Sequence, residues 1–265
     1  MHYFVFTDLD GTVLGHDDYR YQPVVSKIAE LQALSIPVYL NSSKTYAELE
    51  QWQLRLGAEP IVICENGGVI VDTRTQGVRV LGMAYSEICH RLDVIRIDKN
   101  WLFEGFHDWS AQQVVEYTGL SLDEAQLAQQ RMATEPLLWH DDESELEAFR
   151  ELLGLHGLQL QKGGRFYHVM AHHDKAMALQ EVIALHLQQI GAEGDSFKVI
   201  ALGDGGNDLA MLCQADYAVV MPQAKGGYLE FRHPRKVQAK QQAPEGWVEA
   251  ISSLQIREQL PRLNE

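Results

Sequence analysis

The sequence is poor in cysteine and in basic residues. It has 3 Cys among 265 residues, and Cys64, Cys89 and Cys213 are far apart and set among apolar neighbours. This spacing predicts reduced thiols in the core rather than a disulfide or a zinc site. Only 22 Lys and Arg accompany 37 Asp and Glu, which gives a formal net charge of −15. Because proteins that bind nucleic acids use basic surfaces to displace counterions from phosphates, this charge argues against a nucleic-acid partner.

The sequence also lacks a long apolar run. No segment approaches the roughly 20 apolar residues that cross a bilayer, so we expect no membrane partner. "MHYFVFTD" meets an acid at position 8 and has no basic region ahead of a long apolar stretch. We therefore expect no cleaved secretion signal and a cytoplasmic location. With 46% hydrophobic and 22% charged residues, the composition is that of an ordinary globular protein, and it leaves the oligomeric state open.

Strands and helices alternate at both ends of the chain but not in its middle. "HYFVFTD", "IPVYLNSS" and "PIVICENGG" read as strands separated by helical patterns, and "FKVIALGD" and "YAVVM" repeat the rhythm late in the chain. This alternation predicts a parallel sheet flanked by helices. The middle third combines helical patterns with the short extended run "PLLWH" and two strands in "LQLQKGGRFYHVMA", and "GVIVDT" with "GVRVLGM" before it reads as a hairpin. The length allows one large domain or two. We predict an α/β fold with a Rossmann-like parallel-sheet core, residues 1–82 and 172–265, and an inserted α+β cap, residues 83–171.

Polar residues follow four of the predicted strands. Ligands of parallel α/β sheets bind beyond the carboxyl ends of the strands, so these residues are candidates for a site. Carboxylates gathered there repel one another unless a cation joins them. Hard oxygen ligands without His or Cys favour Mg²⁺. The four groups are Asp8 with Asp10, residues 41–44, residues 65–68 and residues 204–208.

These groups indicate phosphoryl chemistry. A Mg²⁺ ion held by few carboxylates usually takes a phosphate oxygen as a further ligand. One carboxylate could attack phosphorus and form an aspartyl-phosphate. The other could protonate the leaving alcohol and later activate water. Ser42, Ser43 and Lys175 could supply donors and positive charge to the phosphoryl oxygens.

Four motifs in order, "DLDGTVL", "SSK", Lys175 and "GDGGND", resemble those of the haloacid dehalogenase superfamily of phosphotransferases. The resemblance implies a haloacid dehalogenase-like core and a Mg²⁺-dependent phosphatase. It makes Asp8 the nucleophile, Asp10 the general acid and base, Ser42 the phosphate-binding hydroxyl and Lys175 the charge-stabilising lysine. The implied metal residues are Asp8, Asp10, Asp204 and Asp208.

A narrower resemblance covers most of the chain. "NSSKT", "ENGG", "TGLSLDEAQLAQQRMATEP" and "GGRFYHVMAHHDKAMAL" are similar to the mannosyl-3-phosphoglycerate phosphatase family. This implies hydrolysis of mannosyl-3-phosphoglycerate, a phosphorylated sugar–glycerate, to mannosylglycerate. It implies also that Arg165 and His168 meet the glycerate carboxylate or the sugar. Two departures are Ala176, where the family tends to have Gly, and "RMATEP", which lacks an acid that relatives often carry after the Arg; both bear on which sugar ester is hydrolysed. The remaining residues expected to bind substrate are Ser43, Lys44, Asn66, Gly67 and Asn207.

Several of these residues have a plainer interpretation. Asp208 could be an acid favoured by a helix N-terminus, and Ser42 or Ser43 could cap the next helix, a role for which Thr45 competes. Lys44 could be a solvated charge. Arg165 could pair on the surface of the cap, although Gly163 and Gly164 before it would let the backbone aim it inward. The aromatic run "NWLFEGFHDWS" favours packing within the cap over a sugar-stacking wall.

The function has alternatives too. On the same fold the chain could be a broad sugar phosphatase or a phosphohexomutase. From another class, it could be a catalytically idle regulatory or binding protein, against which the intact Asp8, Asp10, Lys175 and Asp204 argue.

Overall fold

The structure is a computed structural model that describes residues 1–15 and 19–254. Its largest sheet has five strands, all parallel. The first strand, β1, has apolar side chains buried on both faces, as in parallel sheets covered by helices on either side. The predicted α/β fold with a parallel sheet is therefore confirmed. In spatial order the strands are β12 (Lys236–Gln238), β11 (Tyr217–Val220), β10 (Phe197–Gly203), β1 (His2–Thr7) and β2 (Val38–Leu40).

Five helices cover the two faces of this sheet. On one face α1 (Gln22–Ala33), α2 (Tyr46–Leu56) and α9 (Glu245–Ser253) contribute to one buried apolar cluster. On the other face α7 (Lys175–Gln189) and α8 (Leu209–Gln214) contribute to a second. Because both faces of the sheet are covered, we expect the polar side chains of a ligand site at the carboxyl edge of the sheet.

The strand in "PIVIC" differs from the expectation of one continuous parallel sheet. It is β3 (Ile61–Cys64), and it pairs antiparallel with β4 (Val69–Asp72), which pairs with β5 (Gly77–Val80). The last pair is the predicted hairpin. A single parallel bridge between Asn41 and Ile63 brings β3 beside β2. The loop after β3 therefore still reaches the carboxyl edge of the large sheet.

The middle of the chain forms a separate four-stranded antiparallel sheet, in the order β6-β7-β9-β8, with helices packed on both faces. The aromatic run packs here: Trp101 and Phe103 lie in one apolar cluster, and Phe106 and Trp109 lie in another. The elements are α3 (Tyr85–Lys99), β6 (Phe103–Gly105), α4 (Ala111–Thr118), α5 (Leu122–Ala128), β7 (Thr134–Trp139), α6 (Glu145–Leu155), β8 (Leu158–Lys162) and β9 (Tyr167–Ala171).

The structure also bears on the cysteines, on membrane-spanning helices and on the C-terminal end of the predicted core. Cys64 and Cys89 are buried, but Cys213 is exposed, so the prediction of a core thiol was wrong for Cys213, which lies on the solvent side of the short helix α8. Among the described residues, no helix combines the length and apolarity needed to span a membrane. Residues 255–265, which the predicted core includes, lie outside the described residues.

Candidate active site

Asp8 and Asp10 lie where the chain leaves the central strand. The Asp8 amide still donates to the Leu202 carbonyl at 2.9 Å, which extends the pairing of β1 with β10. The chain then turns tightly, with Gly11 at a φ of 74° that favours glycine. Leu9 is fully buried, so the two acids that flank it face the other way. Both line a cavity of about 440 Å³.

Lys175 joins two of the predicted acids. It begins α7 directly after the N-cap Asp174, and its side chain is 0% exposed. Its Nζ donates to Asp8 Oδ1 and to Asp208 Oδ1, both at 2.6 Å. Burial alone would lower the pKa of this lysine, but the carboxylates of Asp208 and Asp8 outweigh burial and raise that pKa above its usual value. Lys175 therefore carries a fixed positive charge at the bottom of the site.

Asp208 bonds to the turn before it and to Lys175, and its part in a metal site stays a prediction. Its Oδ2 accepts hydrogen bonds from the Asp204 amide at 3.0 Å and the Gly205 amide at 2.9 Å, which holds the short 3₁₀ turn after β10. Its Oδ1 faces Lys175. A Cβ at Gly203 would come within 2.5 Å of Asp208 Cγ, so this carboxylate needs a glycine in β10. Asp208 is thus a turn-forming residue that also sets the position of Lys175.

Asp8, Asp204 and Asp208 form an acidic cluster whose ligand atoms all lie within 4.8 Å of one another. Two of these carboxylates, Asp8 and Asp208, share one ammonium, Lys175, so negative charge is in excess around it. Burial raises the pKa of Asp8 well above its usual range, and the charges of Asp208 and Asp204 add to this effect against the opposing pull of Lys175. A divalent cation would restore the balance, and an all-oxygen donor set suits Mg²⁺. These residues therefore fit Mg²⁺, the metal that the sequence resemblance implies.

Asp10 is outside that cluster. Its Oδ2 lies 3.1 Å from Lys44 Nζ, and its Oδ1 is buried without a hydrogen-bond partner among the described residues. Lys44 also lies 3.5 Å from Glu48. Burial would lower the pKa of Lys44, but Asp10 and Glu48 raise it above its usual value. Lys44 is therefore a largely buried ion-pair partner of Asp10 rather than a solvated charge.

The two serines after β2 take different places. Thr45 is the N-cap of α2, in a capping box with Glu48, so the serines do not perform that task. Ser43 lines the cavity. Ser42 is 1% exposed, and its Oγ accepts from the Lys44 amide at 3.3 Å. The structure thus brings Ser43 to the cavity wall and places Ser42 behind it.

Asn66, Gly67 and Asn207 also divide between contact and support. Asn66 and Asn207 line the cavity, and Asn207 Nδ2 donates to Asn66 Oδ1 at 3.1 Å. Gly67 has a φ of 93°, and a Cβ there would lie 2.1 Å from the Asp174 carbonyl oxygen. Gly67 is therefore required for the close approach of the loop to the start of α7, where Lys175 begins.

The cap contributes one wall of the cavity through the turn between β8 and β9. His168 lies on this wall together with Gln161, Lys162, Gly163 and Gly164. Arg165 is exposed and does not line the cavity; its Nη1 donates to the carbonyls of Tyr117 and Thr118 at 2.7 and 2.6 Å. The glycines before Arg165 thus aim it at the end of α4 rather than inward. Among the described residues of the cap, Lys162 is the cation that lines the cavity.

A buried junction between the core and the cap was not predicted from the sequence. Glu65 is 0% exposed and accepts hydrogen bonds from the amides of Met132, Ala133 and Thr134 at 2.7–3.0 Å. Arg131 lies 3.7 Å from this carboxylate and donates to the Ser43 carbonyl at 3.2 Å. The junction therefore ties the cap to the loop that carries Ser43. The position of Glu65 directly before Asn66 was a signal, but its partners are 67 to 69 residues away in the sequence.

Comparison with known proteins agrees with this arrangement. The sequence profile of the haloacid dehalogenase-like hydrolase family (Hydrolase_3) matches residues 5–230. A haloacid dehalogenase-like hydrolase from Bacteroides thetaiotaomicron is similar in structure, with a TM-score of 0.66, 18% identity and coverage of 96% of this chain and 100% of that one. The phosphatase BT1666 from the same organism is similar with a TM-score of 0.67 and 16% identity, and the match covers 96% of this chain and 95% of that one. The subclass IIB sugar phosphatase BT4131 is similar with a TM-score of 0.65 and 17% identity, and the match covers 96% of this chain and 99% of that one. At these identities the structures show a shared fold, whereas the profile match covers most of the chain, and the chain belongs to the haloacid dehalogenase-like hydrolase family.

Proposed function

We propose that the protein is a Mg²⁺-dependent phosphomonoester hydrolase that works through an aspartyl-phosphate on Asp8. The observation that carries this proposal is the position of Lys175 between Asp8 and Asp208, with Asp204 in the same cluster, beside a 440 Å³ cavity. A structural ion pair alone would need one carboxylate for one ammonium. The surplus of carboxylates beside an open cavity is instead what a metal-assisted phosphoryl transfer requires.

The side chains support a two-step reaction. One Asp8 oxygen attacks phosphorus, the bond from phosphorus to the ester oxygen breaks, and protonated Asp10 gives its proton to the departing alkoxide. Water then attacks the aspartyl-phosphate, Asp10 accepts its proton, and the bond from phosphorus to Asp8 breaks. Phosphate leaves, Asp8 is again a carboxylate and Asp10 is again protonated.

The residues around Asp8 balance the negative charge of the phosphoryl group and of the carboxylates. Asp8 and Asp204, with Asp208 beside them, would hold a Mg²⁺ ion, which would supply the positive charge that an anionic phosphoryl group needs to approach the carboxylates. Lys175 holds one Asp8 oxygen and leaves the other for attack. Ser43, on the cavity wall, supplies a donor to the phosphoryl oxygens, and Ser42 supports the loop behind it.

We propose mannosyl-3-phosphoglycerate as the substrate and residues 83–171 as the cap that recognises its leaving group. The similarity of the sequence motifs to that phosphatase family supports the ester. In the cap, Lys162 lines the cavity, with its ammonium 5.6 Å from the centroid of the Tyr167 ring, whereas Arg165 lies outside the cavity. We assign the carboxylate contact to Lys162 for this reason.

A broader sugar phosphatase is the second candidate. The structural likeness to a protein described as a sugar phosphatase favours it, and so does a cavity that could hold more than one sugar ester. Its substrates would share the phosphate site at Asp8 but would not depend on Lys162.

Phosphate release from a panel of esters tests the proposal. Purified protein with Mg²⁺ is expected to show its highest kcat/KM on mannosyl-3-phosphoglycerate, above mannose 6-phosphate and 3-phosphoglycerate, and to lose activity in EDTA. Asp8→Asn should abolish turnover, while Asp216→Asn, on a partly exposed ion pair with Lys198, should retain it. A flat profile would support the broader phosphatase, isomerised sugar phosphate would indicate a mutase, and an active Asp8→Asn protein would refute the covalent mechanism.

A further inference from the structure

Two neutral cap side chains that line the cavity carry polar atoms without a hydrogen-bond partner among the described residues. Gln161 Oε1 and His168 Nδ1 are buried and have no hydrogen-bond partner among the described residues. Both residues line the same cavity as Asp8. They are direct partners in the antiparallel pairing of β8 with β9, so their side chains stand side by side on one face of the cap sheet. Buried polar groups are normally paired, so a pair left open beside a cavity points to a ligand.

The chemistry of this pair indicates the class of ligand. Burial and the nearby Arg131 lower the pKa of His168 to about 3, so its imidazole is neutral at physiological pH. A neutral imidazole offers one donor and one acceptor, and the Gln161 amide offers both as well. A hydroxyl group also donates and accepts, so it matches either side chain. A carboxylate or phosphate only accepts and finds no positive charge on either of them.

The glycine at the turn supports a built site. A Cβ at Gly163 would lie 2.9 Å from His168 Nε2. The absence of a side chain there gives the ring its room beside the turn.

The next glutamine along β8 supplies a contrast. Gln159 lies on the same face of the strand as Gln161. Its Nε2 donates to the carbonyls of Ala171 and His173, both at 3.0 Å. Gln159 is thus tied into the protein, whereas the oxygen of Gln161 is not. The two glutamines share the same strand and face, but only Gln161 lines the cavity.

We propose that Gln161 and His168 form a hydroxyl-binding pair that selects a polyhydroxylated leaving group, with Gln161 as a specificity-determining residue. The proposal rests on the function proposed above, because it places the sugar of the phosphate ester against β8 and β9. It assigns the sugar hydroxyls to this pair and leaves the carboxylate to Lys162.

Binding without turnover tests the pair independently of catalysis. In the Asp8→Asn protein with Mg²⁺, titration calorimetry compares mannosyl-3-phosphoglycerate with 3-phosphoglycerate, which lacks only the mannosyl group. The ratio of the two affinities measures what the sugar contributes. Gln161→Leu is expected to lower this ratio by about 3- to 10-fold, the worth of one neutral hydrogen bond. Gln159→Leu is expected to keep the ratio and to lower the thermal stability instead, since two carbonyls lose their donor.

The outcomes separate the two proposals. An unchanged ratio in Gln161→Leu, or an equal fall in Gln159→Leu, overturns the hydroxyl-binding pair even if the native protein releases phosphate from the ester. A lowered ratio confined to Gln161→Leu supports the pair even if phosphate release fails, in which case the proposed function alone falls. A larger loss of thermal stability in Gln161→Leu than in Gln159→Leu would show that Gln161 is structural and would also overturn the pair.

Discussion

Replacement of Lys175 by methionine tests the charge balance of the site. The change keeps a long, largely apolar side chain and removes the ammonium that lies 2.6 Å from both Asp8 and Asp208. All three side chains are at most 8% exposed, so water cannot replace the lost charge. We expect a large loss of stability in metal-free protein.

The magnitude follows from the burial of the carboxylates. Removing one partner of a buried ion pair costs about 3–5 kcal/mol, because it leaves an uncompensated buried charge. A chain of this length changes its Tm by roughly 2 °C for each kcal/mol. Lys175→Met should therefore lower the Tm by about 6–10 °C at neutral pH in EDTA.

The matched control is Lys198→Met. Lys198 Nζ lies 2.5 Å from Asp216, but the two side chains are 31% and 27% exposed. Ion pairs in contact with solvent contribute at most about 1 kcal/mol, so the control should lose no more than about 2 °C.

Thermal unfolding followed by circular dichroism, with EDTA and then with Mg²⁺, measures both variants. Added Mg²⁺ should restore part of the stability of Lys175→Met, because a divalent cation compensates the same carboxylates. A Lys175→Met protein that unfolds within 2 °C of the native protein in EDTA would refute the argument that the acidic cluster holds excess charge.

Three further predictions concern the cap and the loop glycine. Burial raises the pKa of Glu135 to about 7, so its protonated form adds stability at low pH that is lost as the pH rises through about 7. Glu135→Gln should remove this pH dependence, which is up to about 3 kcal/mol in the free energy of unfolding, as urea denaturation between pH 5 and 8 measures. Gly67→Ala should lower the free energy of unfolding by well over 1 kcal/mol, because the added Cβ would meet a backbone carbonyl. Gly57 has a φ of 65° and open space around it, so Gly57→Ala should lower the same free energy by only about 1 kcal/mol; urea unfolding measures both variants. Arg165→Ala should leave the KM for the sugar ester unchanged, while Lys162→Ala should raise that KM about tenfold. A raised KM in Arg165→Ala with an unchanged KM in Lys162→Ala would instead identify Arg165 as the substrate contact.

Local patterns along the chain were enough to predict the fold class and the acidic residues of the site. The apolar run before Asp8 can only be buried on both faces, which predicts a central parallel strand. The strand and turn before Asp204 predicted the second carboxylate in the same way. Segments with weaker patterns were missed: β6 and β12 have three residues each, and α9 follows a loop without a clear periodic signal.

What the tertiary structure decided is which side chains share the cavity. The pairing of β8 with β9 places Gln161 beside His168, and Arg165, only three residues before His168, turns to the end of α4 instead. The sequence could not distinguish these outcomes because they depend on the direction of a turn and on carbonyls some 48 residues away. The carboxylates were predictable from sequence because a strand end fixes where its next residues lie. The cap contacts were not, because each of them depends on packing between segments far apart in the chain.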